Sequence, residues 1–263
     1  MAARVSLPQQ PAEPSHACDH ARDDVVDDAC AMIAISVVIP TLNEAVGLPA
    51  LLARLAGETT PHEVIVSDGG STDGTAALAA AAEARVVEGG AGRGQQLARG
   101  AALARGDTVL FLHADTDFPP GGLAAIEAAL AADPAAPGGN FRLLFDGEDG
   151  FSRWLERFYA RRRAKGIYYG DSGIFVRREV LAAIGGVRPI ALMEDMDLSE
   201  RLERAGRTIC IDVPALTTSS RRFRGRHPVA IVLGWIWVHL LYHLGMAPER
   251  LALIYDSARR RRQ

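Results

Sequence analysis

The strongest constraint on this chain is an alternation that begins at residue 33. Residues 33–40, 64–67, 85–88 and 108–112 are short runs rich in Val, Ile and Leu. Between them lie stretches at 45–56, 75–84 and 94–104 with helical character, clearest in Leu48, Leu51, Leu52 and Leu55. Continuous apolar strands are buried on both faces, and strand and helix alternating at this pitch predict an α/β fold with a doubly wound, mostly parallel sheet. Ligands of such sheets sit beyond the carboxyl ends of the strands, so chemistry is expected there.

The second half is less regular. Residues 140–145 and 174–176 read as strands, and 151–163 as an arginine-studded helix. A helix over 194–205 leads to strands at 208–213 and 215–219. Residues 229–246 are the most apolar stretch. They are short for a membrane span and hold His239 and His243, so they read as a helix that either lies on a membrane surface or packs in the core.

Charge is divided along the chain. The net charge of −3 gives no whole-protein case for nucleic-acid binding. Residues 1–31 hold two arginines against six carboxylates, with Pro8, Pro11 and Pro14 and no apolar period, and read as a disordered tail. Met32, directly before the first strand, is an alternative natural start. Residues 201–263 hold twelve arginines against four carboxylates. The expected organisation is a tail at 1–31, a main α/β domain at 32–227 and a helical C-terminal segment at 228–263. Cys18, Cys30 and Cys210 form no Cys-x-x-Cys, which argues against a disulfide or zinc framework and for a reducing, cytoplasmic compartment. Cys210 is expected to be a small buried hydrophobe. The single lysine, Lys165, is not in a Walker frame.

Three strand ends in succession are polar. The first ends in Pro40, Thr41, Leu42, Asn43 and Glu44. The second runs Ser67-Asp68-Gly69-Gly70-Ser71-Thr72-Asp73-Gly74-Thr75, and the fourth ends in His113, Ala114, Asp115, Thr116 and Asp117. Any one alone is ordinary turn and capping chemistry; three on one sheet edge point to a site. Asp115 and Asp117 are hard oxygen donors suited to a divalent cation.

These motifs, with Met193-Glu194-Asp195-Met196-Asp197-Leu198 further on, resemble the family 2 glycosyltransferases of GT-A fold. Leu112 to Thr116, Tyr169 to Asp171 and Gly173 to Arg178 resemble a bacterial subgroup of radical-SAM- or selenium-domain-associated transferases. The resemblance implies a metal-dependent inverting transfer of sugar from a nucleoside diphosphate, usually of uridine, to a hydroxyl acceptor, with a lipid-linked acceptor as one form. It implies that Pro40, Thr41 and Glu44 line the nucleoside pocket, that Asp68 bonds the base, and that Arg93 and Gln96 lie beside the nucleotide. Gly69 departs from the family's commoner Asp-Asp-Gly-Ser and leaves the base open. Asp115 is the implied ligand for Mn²⁺ or Mg²⁺, with Asp117 as second ligand in one register and His113 a ribose contact in the other. Asp195 is the implied base, Glu194 its support and Asp171 a shaper of the acceptor side. Arg222 is set either against the diphosphate or in a solvated basic loop. Two other readings stand beside this one: a nucleotidyltransferase, whose Gly-rich basic loop is missing, and a non-catalytic nucleotide-sugar binder at a membrane.

Overall fold

The computed structural model describes residues 33–220 and 227–260, with side chains as far as residue 255. The tail and Arg222 lie outside the described residues. Strand β1 (Ile35–Thr41) is flanked in parallel by β2 (His62–Asp68), which carries β3 (Arg85–Glu88) at its outer edge, and by β4 (Thr108–Phe111). Beyond β4 the direction changes. Strand β7 (Ile174–Arg177) runs antiparallel to it, followed by β6 (Gly138–Phe145), β8 (Ile209–Thr218) and the two-residue β5 (Thr116–Asp117). The order is β3-β2-β1-β4-β7-β6-β8-β5. The parallel half agrees with the sequence pattern, and the antiparallel half makes the sheet mixed.

Both faces are covered, as continuous apolar strands require. On one face Val37 and Ile39 pack against α1 (Leu48–Ala56), α2 (Thr75–Ala81) and α4 (Gly122–Ala132). On the other, Val38 meets α3 (Arg93–Ala101), α6 (Arg178–Ala183) and α7 (Glu194–Ala205). An arginine-rich helix, α5 (Gly150–Arg163), is capped by Asp149, which accepts from the amides of Phe151 at 2.8 Å and Ser152 at 3.0 Å. Helices α8 (Pro228–His243) and α9 (Pro248–Arg260) close the described chain. Among the described residues no helix is long and apolar enough to cross a membrane.

Two expectations need correction. The strands read at 208–213 and 215–219 are one strand, β8. Pro214 brings no amide to the ladder, and the register against β6 shifts between Phe141 and Leu143, yet pairing resumes beyond it. Cys210 lies near the start of that strand and is only half-buried. At this same end of the ladder, Gly138 and Gly139 allow β6 to wedge between β7 and β8: a Cβ at Gly139 would lie 2.1 Å from the Ile209 carbonyl oxygen.

Candidate active site

The ends of β1 and β2 are laced together by short polar side chains. Asp68, buried at the end of β2, accepts from the Thr41 hydroxyl at 2.9 Å and the Ser71 hydroxyl at 2.6 Å through Oδ1. Its Oδ2 accepts from the amides of Gly70 at 2.9 Å and Ser71 at 2.7 Å. A carboxylate has about four lone-pair positions, so Asp68 is fully used in shaping the turn. Asp73 receives the Ala45 amide at 3.0 Å, and the Glu44 amide donates to the Thr75 hydroxyl at 2.9 Å. Gln96, on α3, donates its side-chain amide to the carbonyls of Thr41 at 2.6 Å and Ser67 at 3.0 Å. Gln96 thus ties the two strand ends from beneath. Pro40 stands opposite Ser67 in the ladder, in the same edge.

The start of α7 supplies the densest charge. Glu194 is 1% exposed and makes a short hydrogen-bonded ion pair with Arg93, at the start of α3. Arg93 Nη2 also lies 3.5 Å from Asp195 Oδ2. The approach is set by Gly94, where a Cβ would lie 2.4 Å from the Ile190 carbonyl oxygen. Asp195 accepts from the amides of Gly170 at 3.0 Å and Met196 at 2.8 Å. Gly170 is itself pressed between His113 and Asp195: a Cβ there would lie 3.2 Å from His113 Nε2 and 3.3 Å from Asp195 Cβ. The end of β4, the Gly170–Ser172 turn and the start of α7 therefore meet at one point.

Environment separates the two carboxylates. Burial pushes Glu194 above its ordinary value, and the Arg93 charge only partly offsets this. Burial also acts upward on Asp195, but the Arg93 charge and the Gly170 and Met196 amides outweigh it and hold Asp195 below the usual carboxylate range. Burial would lower the Arg93 guanidinium, yet Glu194 and Asp195 beside it raise it. Asp171 is buried alongside and accepts from the Tyr159 hydroxyl at 3.2 Å.

Asp115 emerges half-buried just beyond β4, close to Gly47, where a Cβ would lie 4.0 Å from its Cα and 3.7 Å from Glu44 Oε2. Gly47 thus has the Glu44 carboxylate and the Asp115 backbone as neighbours. Asp117 is exposed in β5 and its Oδ1 pairs with Arg54 Nη2 at 3.3 Å. Among the described residues no three His, Cys, Asp or Glu side chains are grouped to hold a metal. A cation at Asp115 would need substrate oxygens for the rest of its shell, which is how Mg²⁺ is commonly held.

Residues 36–184 match the profile of Glycosyl transferase family 2, a span that includes all three polar strand ends. The chain belongs to glycosyltransferase family 2. Among curated relatives, the undecaprenyl-phosphate 4-deoxy-4-formamido-L-arabinose transferase of Pseudomonas fluorescens (strain SBW25) is 33% identical over 159 residues, covering 54% of this chain and 46% of that protein. The protein of the same name from Serratia proteamaculans (strain 568) is 39% identical over 98 residues, covering 33% and 30%. The chain thus spans under half the length of these relatives. In fold it is similar to glucosyl-3-phosphoglycerate synthase from Mycobacterium tuberculosis, solved with Mn²⁺, UDP and glucosyl-3-phosphoglycerate. The TM-score is 0.57 at 22% identity, covering 81% of each chain. It is also similar to S. aureus TarS 1–349 in complex with UDP-GlcNAc, with a TM-score of 0.56 at 19% identity, covering 75% of this chain and 61% of that one. The sheet is that of the GT-A neighbours.

For this family 2 chain, the structure gathers Glu194, Asp195, Arg93, His113 and Asp171 in one cluster, and Pro40, Thr41, Asp68 and Gln96 at the adjoining strand ends. It leaves Asp117 at the sheet edge. Sequence reasoning missed the pairing of Arg93 with α7 across 101 positions, and a second chain of contacts. Arg162 donates to the Tyr169 hydroxyl at 3.1 Å, and that hydroxyl lies 3.2 Å from His239 Nε2 on α8. The i,i+3 spacing of Tyr159 and Arg162, both reaching the Tyr169-Gly170-Asp171 motif, was the available signal.

Acid should unfold the chain through its buried carboxylates, Asp68 at the carboxyl end of β2 and Glu63 near the amino end. Burial acts upward on Asp68 and Glu63, but hydroxyl and amide donors hold Asp68 below its ordinary value, and Ser36 and Arg105 do the same for Glu63. A depressed folded-state pKa contributes stability above the unfolded value that is lost as pH falls through the folded one. Glu194 has the opposite sign and gains on protonation. With Asp195 added, the depressed group is the larger, so urea midpoints should fall from about pH 5 toward about pH 2. The slope should be shallower in Asp68→Asn.

Proposed function

We propose that the chain moves a sugar from a nucleoside diphosphate, with uridine the favoured base, to an acceptor oxygen, inverting the anomeric carbon. The observation that carries this reading is the split Glu194–Asp195 pair beside Arg93, at the carboxyl end of the strand that leads to Asp115. Paired carboxylates whose environments push them apart mark acid–base assignments. With a hydroxyl acceptor, Asp195, held ionised, takes the hydroxyl proton as that oxygen bonds to the anomeric carbon. The bond from that carbon to the diphosphate oxygen breaks, and its electron pair leaves with the diphosphate. A carboxylate this acidic is a weak base, so the proton moves late, once bond formation has made it acidic. Glu194 and Arg93 hold Asp195 in place, and Asp171 with Tyr159 shapes the wall on that side.

Asp115 would hold Mn²⁺ or Mg²⁺ with the donor's own oxygens. Bound there, the ion would offset the charge of the departing diphosphate. Pro40, Thr41 and Glu44 would border the nucleoside, with Asp68 and Gln96 keeping the strand ends in shape beneath it. Arg222 remains a proposed diphosphate contact on sequence grounds. The names of the curated relatives favour a lipid-linked acceptor, which the chain would meet peripherally at the inner membrane face. The motifs at 112–116 and 169–178 support the radical-SAM- or selenium-associated subgroup.

Thermal shift tests the donor and metal together. UDP with Mn²⁺, at a hundredfold excess over Kd, should raise Tm by about 5–10 °C. Asp115→Asn or a chelator should remove the cation-dependent part. Absence of any shift across nucleotide sugars would overturn the reading. Release of pyrophosphate would favour a nucleotidyltransferase, and binding of UDP without turnover over many acceptors a non-catalytic binder.

A further inference from the structure

Helix α8 contains no Asp, Glu, Lys or Arg from Pro228 to His243; its polar side chains are His239 and Tyr242, which are partly buried, and the exposed His243. One stripe is accounted for. Ile231 and Val238 are buried against the domain, and Val238 and Tyr242 pack with Met193, Met196 and Tyr169 around the start of α7. The opposite stripe is not. Leu233, Ile236, Trp237, Leu240 and Leu244 recur at three- and four-residue intervals, and all are exposed, Leu244 at 73%. On α9, which packs with α8, Leu253 is 71% exposed. An apolar face of this extent marks an interaction surface.

We infer that the outward face of α8 and α9 docks on an anionic lipid bilayer, lying in the plane of its surface. Three observations choose this occupant. The helix of 16 residues is about 24 Å long, short of the ~30 Å hydrocarbon core, and its inner stripe is held by the domain, so it cannot stand across a membrane. Residues 221–263 hold nine arginines against two carboxylates, Glu249 and Asp256, the charge that anionic headgroups attract. Trp237, exposed between leucines, is the residue type that settles at a headgroup boundary. The inference stands apart from sugar transfer and does not require it.

The test is co-sedimentation of the full chain with vesicles of phosphatidylcholine, alone or mixed with phosphatidylglycerol. Binding should be strong to the mixed vesicles, weak to phosphatidylcholine and reduced by salt. Leu233→Glu/Ile236→Glu/Leu240→Glu should weaken it about tenfold or more. Val213→Glu, at an 84% exposed site on β8, should bind as the parent does. Tm of the triple variant checks that it is folded, and tryptophan emission near Trp237 gives a second readout through a blue shift on vesicle addition. Equal binding by the folded triple variant would overturn the inference. So would failure of the parent to bind mixed vesicles, or a parent dimer that the triple variant dissolves without any vesicle binding.

Discussion

Asp195→Asn should lower the turnover of sugar onto a hydroxyl acceptor by about 10²- to 10⁴-fold while leaving nucleotide affinity in place. The side chain keeps its size and one acceptor oxygen, so one of the Gly170 and Met196 amides retains its partner. What is lost is the second acceptor and the negative charge. The loss should appear in kcat and in kcat/KM alike, because the proton is moved only in the transition state. UDP binding measured by calorimetry is the control for an intact donor side. The effect should be much smaller with a phosphate acceptor, whose oxygen is already ionised and needs no base. Unchanged turnover onto a hydroxyl would remove Asp195 from the base role. The neighbouring Asp171 would then be the next carboxylate to substitute, since it borders the same turn.

Arg93→Met should cost about 2 kcal/mol of stability at neutral pH, read from urea unfolding. Removing one partner of a fully buried ion pair costs ~3–5 kcal/mol, but 37% of the Arg93 side chain is in solvent, which screens the interaction. Glu194 would be left buried without its cation and Asp195 would lose its nearest positive charge. Both carboxylates would then titrate higher. The destabilisation should accordingly fade as pH drops and Glu194 takes up a proton in the folded state. Arg93→Met/Glu194→Gln should recover much of the stability without recovering activity. A double variant no more stable than the single one would mean that Arg93 acts by packing rather than by charge.

How much of this could be read from the sequence depended on the range of the interaction. The parallel half was legible because each of its strands is marked locally, by apolar runs that end in polar turns. Asp115 stands just past the end of one such run, whereas Glu194 and Asp195 were singled out by resemblance to a family motif at the start of α7. Helix α4 escaped, since in Gly122–Ala132 alanines fill most positions and no apolar stripe stands out. β8 was divided because Pro214 is a reliable local breaker, whereas its pairing with β6 is set by contacts far along the chain. Arg93 and Gln96 were placed beside the nucleotide by resemblance. Their partners in the fold, Glu194 and the Thr41 and Ser67 carbonyls, lie 101, 55 and 29 positions away, and no local pattern reports them.

The contact at Gly94 has a bearing on recombination among relatives. A glycine that leaves no room for one methyl group makes α3 and the 188–190 segment a matched set, although more than ninety positions separate them. Chimeras that take the first from one parent and the second from another would need both parents to be equally close at that point. A crossover after residue 101 and before residue 188 therefore risks parting Arg93 from Glu194. Exchanges confined to α8 and α9 leave that match untouched, so the outward apolar face is the property most open to transplantation.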